Sequence, residues 1–312
     1  MTMQPIPDGL VVLTHWGLMR ARGADAVKFL QGQLTNDIAT LGADRARLAG
    51  FCSAKGRLQA SFVVWQFAPD DLLLACHASV LPATLKRLSM FVLRAQCKLS
   101  DAGSEWRLLG AVGATARHWT ADLPVWGQRA AAGGSTVRLP DVDGLPRALL
   151  AQPLAESLPS APDFALDAWR LLEVRSAIPV IEAATVDQFV PQMLNYEVVG
   201  GVDFQKGCYP GQEVVARSQY RGTIKRRMFL FAVDEAGHAG QEVFHSADPA
   251  QPAGMVVNAA LQAGAPGSSV VLVEVKLAAL EGGSLHLGHA GGPTLRQLEL
   301  PYPLPGEAAL LA

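Results

Sequence analysis

One segment of the sequence concentrates groups that can do chemistry: Lys206-Gly207-Cys208-Tyr209-Pro210-Gly211-Gln212-Glu213, followed by Val214-Val215-Ala216-Arg217. Gly207 and the Pro210-Gly211 pair favour tight turns on either side of Cys208, and no bulky apolar run shields the thiol locally. Gln212 to Gln219 holds good helix formers, which sets Cys208 just ahead of a helix N-terminus. Lys206, Arg217 and Arg221 bring positive charge. Both features favour a thiolate, and a thiolate serves as a nucleophile, a redox group or a metal ligand. The same residues read equally well as a turn whose cysteine merely packs, because free cysteine is commonly buried.

The remaining candidates carry less chemistry. Cys52, Cys76 and Cys97 lie in largely apolar surroundings and read as buried structural thiols. No C-x-x-C pair occurs, and one exposed cysteine cannot hold an iron–sulfur cluster, whose usual set is four thiolates. His286 and His289 stand three apart in a glycine-rich stretch with no third ligand nearby, so they read as surface histidines and no metal site is expected. The basic run Arg217, Arg221, Lys225, Arg226 and Arg227 reads as an anion site or a solvated strand edge. Direct nucleic-acid binding is not expected, since only Tyr220 and Phe229 stand near to stack on bases.

These groups need a scaffold, and the composition supplies one. The 312 residues are 50% hydrophobic and 17% charged, which excludes disorder and predicts two or three domains. With 26 Lys and Arg against 28 Asp and Glu, the net charge of -2 argues against a surface given over to nucleic acid. Four irregularly spaced cysteines, the absence of a basic-then-apolar leader at Met1 to Gly9, and the lack of an apolar run of ~20 residues predict a reduced, cytoplasmic, membrane-free chain. Apolar spacing predicts short strands around Leu10–Arg22, a helix opened by Asp25, and a hairpin over Leu48–Phe67 that turns at Ala54-Lys55-Gly56-Arg57. A strand over Leu72–His77 and helices over Val80–Leu93 and Asp163–Arg175 follow. Beyond about Tyr220 short apolar runs alternate with Gly/Pro turns, which predicts an all-β C-terminal domain after an α+β front.

The cysteine segment, with Arg221-Gly222 and Lys225-Arg226 after it, resembles the signature of the YgfZ-type folate-binding proteins, relatives of the glycine-cleavage T-protein (aminomethyltransferase) that include mitochondrial iron–sulfur assembly counterparts. The likeness extends to Gly23-Ala24-Asp25, Phe29-Leu30-Gln31-Gly32-Gln33, Thr35-Asn36-Asp37 and Ala54-Lys55-Gly56-Arg57. It continues through Ile178-Pro179-Val180-Ile181, Gln188-Phe189-Val190-Pro191-Gln192, Asn195 and Gly200-Gly201-Val202-Asp203-Phe204. The resemblance implies an α+β, T-protein-like folate-binding fold of three domains in a ring, with a C-terminal all-β barrel. The domains would be residues 1–48 with 103–220, an inserted 49–102, and 221–312.

The resemblance further implies a folate-binding accessory factor in iron–sulfur cluster assembly or repair. Such a factor supports tRNA modification indirectly, through an iron–sulfur client enzyme. Cys208 would be the functional thiol, with Lys206 and Arg217 beside it. Tetrahydrofolate or a derivative would be held by Trp16, Trp169, Gln192, Asn195 and Arg221, since a flat ring gains from stacking on indole. Trp65, Trp106, Trp119 and Trp126 read as core. The partners implied are iron–sulfur client or assembly proteins. The alternative is a folate-dependent aminomethyl transferase. The missing acidic pair counts against it, since Leu58-Gln59-Ala60-Ser61 stands where the T-protein has that pair. Arg175 stands where the T-protein has a glutamate for the pterin, with Glu173 two residues earlier on a different helix face, which argues against pterin binding through that carboxylate.

Overall fold

The structure is a computed structural model that describes residues 7–131, 133–220 and 224–305. In chain order the first strands are β1 (Gly9–Val12) and β2 (Trp16–Arg22), followed by helix α1 (Ala26–Gln31). Next come β3 (Ala46–Cys52), β4 (Leu58–Ala68), β5 (Asp71–His77), α2 (Leu81–Val92), β6 (Lys98–Asp101), β7 (Trp106–Val112) and α3 (Gly113–Thr120). Then follow β8 (Gln128–Ala131), β9 (Gly134–Val142), β10 (Leu145–Pro153), α4 (Leu166–Arg175) and α5 (Gln212–Tyr220). The chain continues with β11 (Arg226–Val233), β12 (Glu242–His245), β13 (Asp248–Leu261), β14 (Ser269–Lys276), β15 (Leu285–Leu287) and β16 (Arg296–Leu298).

The described residues fall into two compact units, each assembled from three stretches of chain. The first takes Met1–Gln31, Ile38–Arg47 and Phe62–Trp169; the second takes Gly32–Asp37, Leu48–Ser61 and Arg170–Ala312. The mixed helix and strand content expected of the front of the chain is present.

In the first unit one antiparallel sheet runs β1-β7-β10-β9-β8, and β5, β2 and β6 lie side by side in a second. Helix α2 forms because Leu81, Thr84 and Leu88 repeat on one face and are buried there, while Pro82 fits its first turn. Arg20 on β2 is buried against Asp71, donating from Nε at 2.8 Å and Nη2 at 2.5 Å. Its guanidinium also lies 5.7 Å from the Phe67 ring centre and 5.5 Å from that of Trp106. Pairing and stacking offset part of the cost of burying this charge.

In the second unit the residues after 225 form an antiparallel sheet in the order β15-β12-β13-β14-β11-β16. The all-β character expected there is borne out. Phe229, Phe231, Val233, Val256, Val271 and Val273 fill its core, as strict alternation requires. One segment joins both edges of this sheet. Leu287 donates to the Pro293 carbonyl at 2.9 Å and Leu295 to that of Leu285 at 2.8 Å, and from the next residue, Arg296, β16 pairs with β11.

Candidate functional site

Cys208 sits on an exposed loop of the second unit, and no cysteine of the chain is in a disulfide. What holds the loop is a contact between two glycines. Gly211 adopts a φ of +79° and approaches so closely that a Cβ there would stand 2.3 Å from the Ser53 carbonyl oxygen and 2.6 Å from the Gly56 Cα. Gly56, at φ +70°, is pressed in turn: a Cβ on it would meet the Val214 side chain at 2.8 Å. Only glycine meets both demands, left-handed backbone and bare surface. The hairpin turn Ala54–Arg57 therefore docks against the start of α5, immediately after the cysteine.

The segment 34–36 braces the approach to this loop. The Thr35 hydroxyl donates to the Gly201 carbonyl at 2.6 Å and accepts from the Gly50 N–H at 2.7 Å. Asn36 donates through Nδ2 to the carbonyls of Leu48 at 2.6 Å and Gly200 at 2.7 Å. Asp203 accepts from the Gln205 and Lys206 N–H groups at 2.7 and 3.1 Å, turning the chain toward the cysteine. Lys206 reaches back to the Leu34 carbonyl, Nζ to O 2.5 Å, with its ammonium 5.0 Å from the Tyr209 ring centre. Burial pulls Lys206 down to about 8, against the opposing pull of Asp37, Asp203 and Cys208. Burial likewise pushes the Tyr209 hydroxyl up.

The charges expected to surround the thiol are thus deployed differently from their sequence order. Lys206 is engaged as a strut, although it remains within electrostatic reach of Cys208. Arg217 turns to Glu213 at 3.2 Å, one helical turn away on the exposed face of α5. Arg221 lies outside the described residues. Further along the basic run, Arg226 pairs with Glu274, and Arg227 is buried on Glu197 at 2.6 Å, so neither offers an open charge to an anion. Burial pushes the Glu197 carboxyl up, and Arg227 only partly offsets it.

Gln192 and Asn195 are buried and spend their amide donors on backbone: Gln192 on the Val215 carbonyl of α5 at 2.8 Å, Asn195 on that of Met228 at 2.7 Å. They act as braces for α5 and β11, while the Gln192 Oε1 is buried with no hydrogen-bond partner among the described residues. In the first unit Trp16 begins β2 half-buried. Trp169 is 1% exposed, and its ring lies so close to the bare backbone of Gly110 that a Cβ there would stand 2.7 Å from it. The Arg147 guanidinium sits 5.7 Å from the Trp169 ring centre.

Cys52 and Cys76 are buried, and burial pushes each up to about 12; Cys97 is half-buried and raised for the same cause. Cys208 alone of the four is exposed. Asp187 escaped the sequence reading. Its Oδ2 accepts from Gln59 Nε2 at 3.1 Å, which brings a carboxylate beside the place where the acidic pair is missing. A pairing across 128 residues leaves no local signal. Among the described residues no group of three or more His, Cys, Asp or Glu side chains is arranged to hold a metal ion. No described helix is long and apolar enough to cross a membrane.

Comparison with known proteins places this geometry. Residues 8–127 match the GCVT N-terminal domain model. The crystal structure of glycine cleavage system aminomethyltransferase T from Bartonella henselae superposes with a TM-score of 0.73 at 17% identity, covering 95% of this chain and 86% of that one. The fold is therefore that of the T-protein aminomethyltransferases. The tRNA-modifying protein YgfZ of Sodalis glossinidius is 33% identical over 259 residues, covering 73% of this chain and 72% of its own. That of Serratia proteamaculans is 34% identical over 235 residues, covering 72% and 71%. The chain belongs to the YgfZ family.

Proposed function

We propose that this protein is an accessory factor of tRNA modification that binds folate and acts through iron–sulfur cluster assembly or repair on client proteins. Cys208 is its functional thiol. The observation that carries the reading is an exposed cysteine on a loop whose backbone is fixed by the Gly211–Gly56 contact and by the Lys206 strut. A fixed, accessible thiol suits a reactive group presented to a partner protein. The names of its YgfZ relatives support the link to tRNA modification, and the T-protein fold supports a folate-type ligand.

Each described residue expected at the folate has its own engagement within its unit. Trp169 is packed away, Gln192 and Asn195 hold backbone, and Trp16 is half-buried. Folate binding thus rests on fold and family, and no chemical step is routed through it. The three-domain ring around a central pocket and the cytoplasmic location belong to the same proposal. The test is complementation of cells lacking their own relative: Cys208→Ser should lose support of iron–sulfur enzymes while keeping the fold. Full rescue by that variant would reduce the loop to a structural turn. Tetrahydrofolate titration, followed by indole fluorescence in wild type, Trp16→Ala and Trp169→Ala, tests the folate part separately.

Asp187 beside Gln59 favours a second reading, a folate-dependent aminomethyl transferase whose carboxylate comes from a distant loop. Turnover of an aminomethyl donor with tetrahydrofolate, abolished in Asp187→Asn, would establish it; no turnover in wild type would exclude it.

A further inference from the structure

A cleft of about 310 Å³ lies within the first unit, and His118, Trp119, Arg129, Thr136, Leu150 and Gln152 are among the residues that line it. The sheet register explains its make-up. Arg129 on β8, Thr136 on β9 and Leu150 on β10 are direct cross-strand partners, so their side chains form one row on one face. Helix α3 covers the β10 end of that face, where Leu150 joins Leu109, Ala116 and Ala148 in a core cluster with Trp119 at its margin. At the end of α3 the half-buried indole of Trp119 flanks the opening, with half-buried Thr136 and Pro159 also in the lining.

The chemistry of the lining is one-sided. The Trp119 indole N–H and the Thr136 hydroxyl have no hydrogen-bond partner among the described residues, and the Arg129 side chain is 53% exposed. The acceptor Gln152 Oε1 is already taken by Arg107 Nε at 2.9 Å. Asp122, 66% exposed, pairs with Arg129, and a surface pair of this kind contributes little and is readily exchanged. Unspent donors beside an aromatic wall and an aliphatic floor match a flat ring that carries a negative group.

We propose that this cleft binds a small planar aromatic anion, its ring against Trp119 and its carboxylate or phosphate at Arg129 and Thr136. The site is independent of Cys208 and of the folate reading. The ring gains by burial on Trp119 and Leu150. The anion replaces Asp122 at the guanidinium and adds the Thr136 hydroxyl as a neutral donor.

The experiment uses the full chain labelled with 5-fluorotryptophan, with the Trp119 fluorine resonance identified by its loss in Trp119→Phe. Benzoate, adenosine 5′-monophosphate and inorganic phosphate are titrated in turn. Benzoate or the nucleotide should shift the Trp119 resonance saturably, and which of them does so separates a simple aromatic carboxylate from a nucleotide ligand. Arg129→Met should weaken binding about tenfold, the equivalent of one charge-assisted hydrogen bond. Asp122→Asn, which removes the competing carboxylate, should tighten it. The proposal is overturned by any one of three results: no shift at millimolar benzoate or nucleotide, equal affinity in Arg129→Met, or the same shift from inorganic phosphate alone.

Discussion

Gly211→Ala tests the central structural claim, that the cysteine loop is held by backbone contact with the Ala54–Arg57 turn. Two costs add. A non-glycine residue in the left-handed region costs about 1–2 kcal/mol. A methyl group at 2.3 Å from the Ser53 carbonyl and 2.6 Å from the Gly56 Cα cannot stay there, and neither neighbour is a flexible side chain. Forcing extra atoms into such a contact costs about 1–3 kcal/mol. The expected loss is therefore about 2–5 kcal/mol, measured as a fall in the urea midpoint at unchanged slope. The cysteine loop should also be displaced. Cys208 alkylation in the native state should then change rate in Gly211→Ala, whereas Gly144→Ala, with no atom within 4 Å of its added Cβ, should leave that rate alone. Stability within 0.5 kcal/mol of wild type together with an unaltered alkylation rate would refute the glycine contact as the clamp on the thiol.

Other outcomes follow from the same geometry. With a thiol reagent at neutral pH, Cys208 should react first and Cys52 and Cys76 only on unfolding, since both are buried with their ionisation pushed up to about 12; prompt reaction at three or more sites would contradict the burial. Lys206 titrates near 8 when folded against an ordinary 10.5, so between these values the unfolded chain holds the extra proton and stability should rise with pH; Lys206→Met should flatten that rise in pH-dependent denaturation. Arg227→Met leaves the buried Glu197 carboxylate without its partner and should cost about 3–5 kcal/mol by urea denaturation; a loss under 1 kcal/mol would deny the pair its structural role.

The site was legible in sequence where its parts are neighbours. Gly207, Pro210 and Gly211 beside Cys208 announce a turn, good helix formers announce α5, and the thiol is indeed exposed. What sequence order could not convey is where long side chains go. Lys206 stands two residues from Cys208, yet its ammonium ends on the carbonyl of Leu34, 172 residues away. Gln192 and Asn195 carry polarity suited to a ligand, but their amide donors go to the backbone carbonyls of Val215 and Met228. In the fold, β3 to β5 and α2 were readable from period alone, whereas β8, β9 and β10 have no counterpart among the elements that the spacing predicts. Those strands persist because each is paired along its length, and pairing is a property of the partner rather than of the local residues.

The hydrogen bonds of Thr35 and Asn36 set a timetable for the growing chain. Their carbonyl acceptors, on Gly201 and Gly200, emerge 166 and 164 residues later. At about 5–20 residues per second that interval is about 10–30 s of synthesis. Throughout it a hydroxyl and an amide destined for burial face water, and the hairpin that will receive Gly211 has no partner. The second unit therefore completes its assembly only after most of the polypeptide has left the ribosome, and a stall or truncation before residue 200 yields a chain whose Thr35 and Asn36 keep only their local partners, Gly50 and Leu48, and lack the long-range ones.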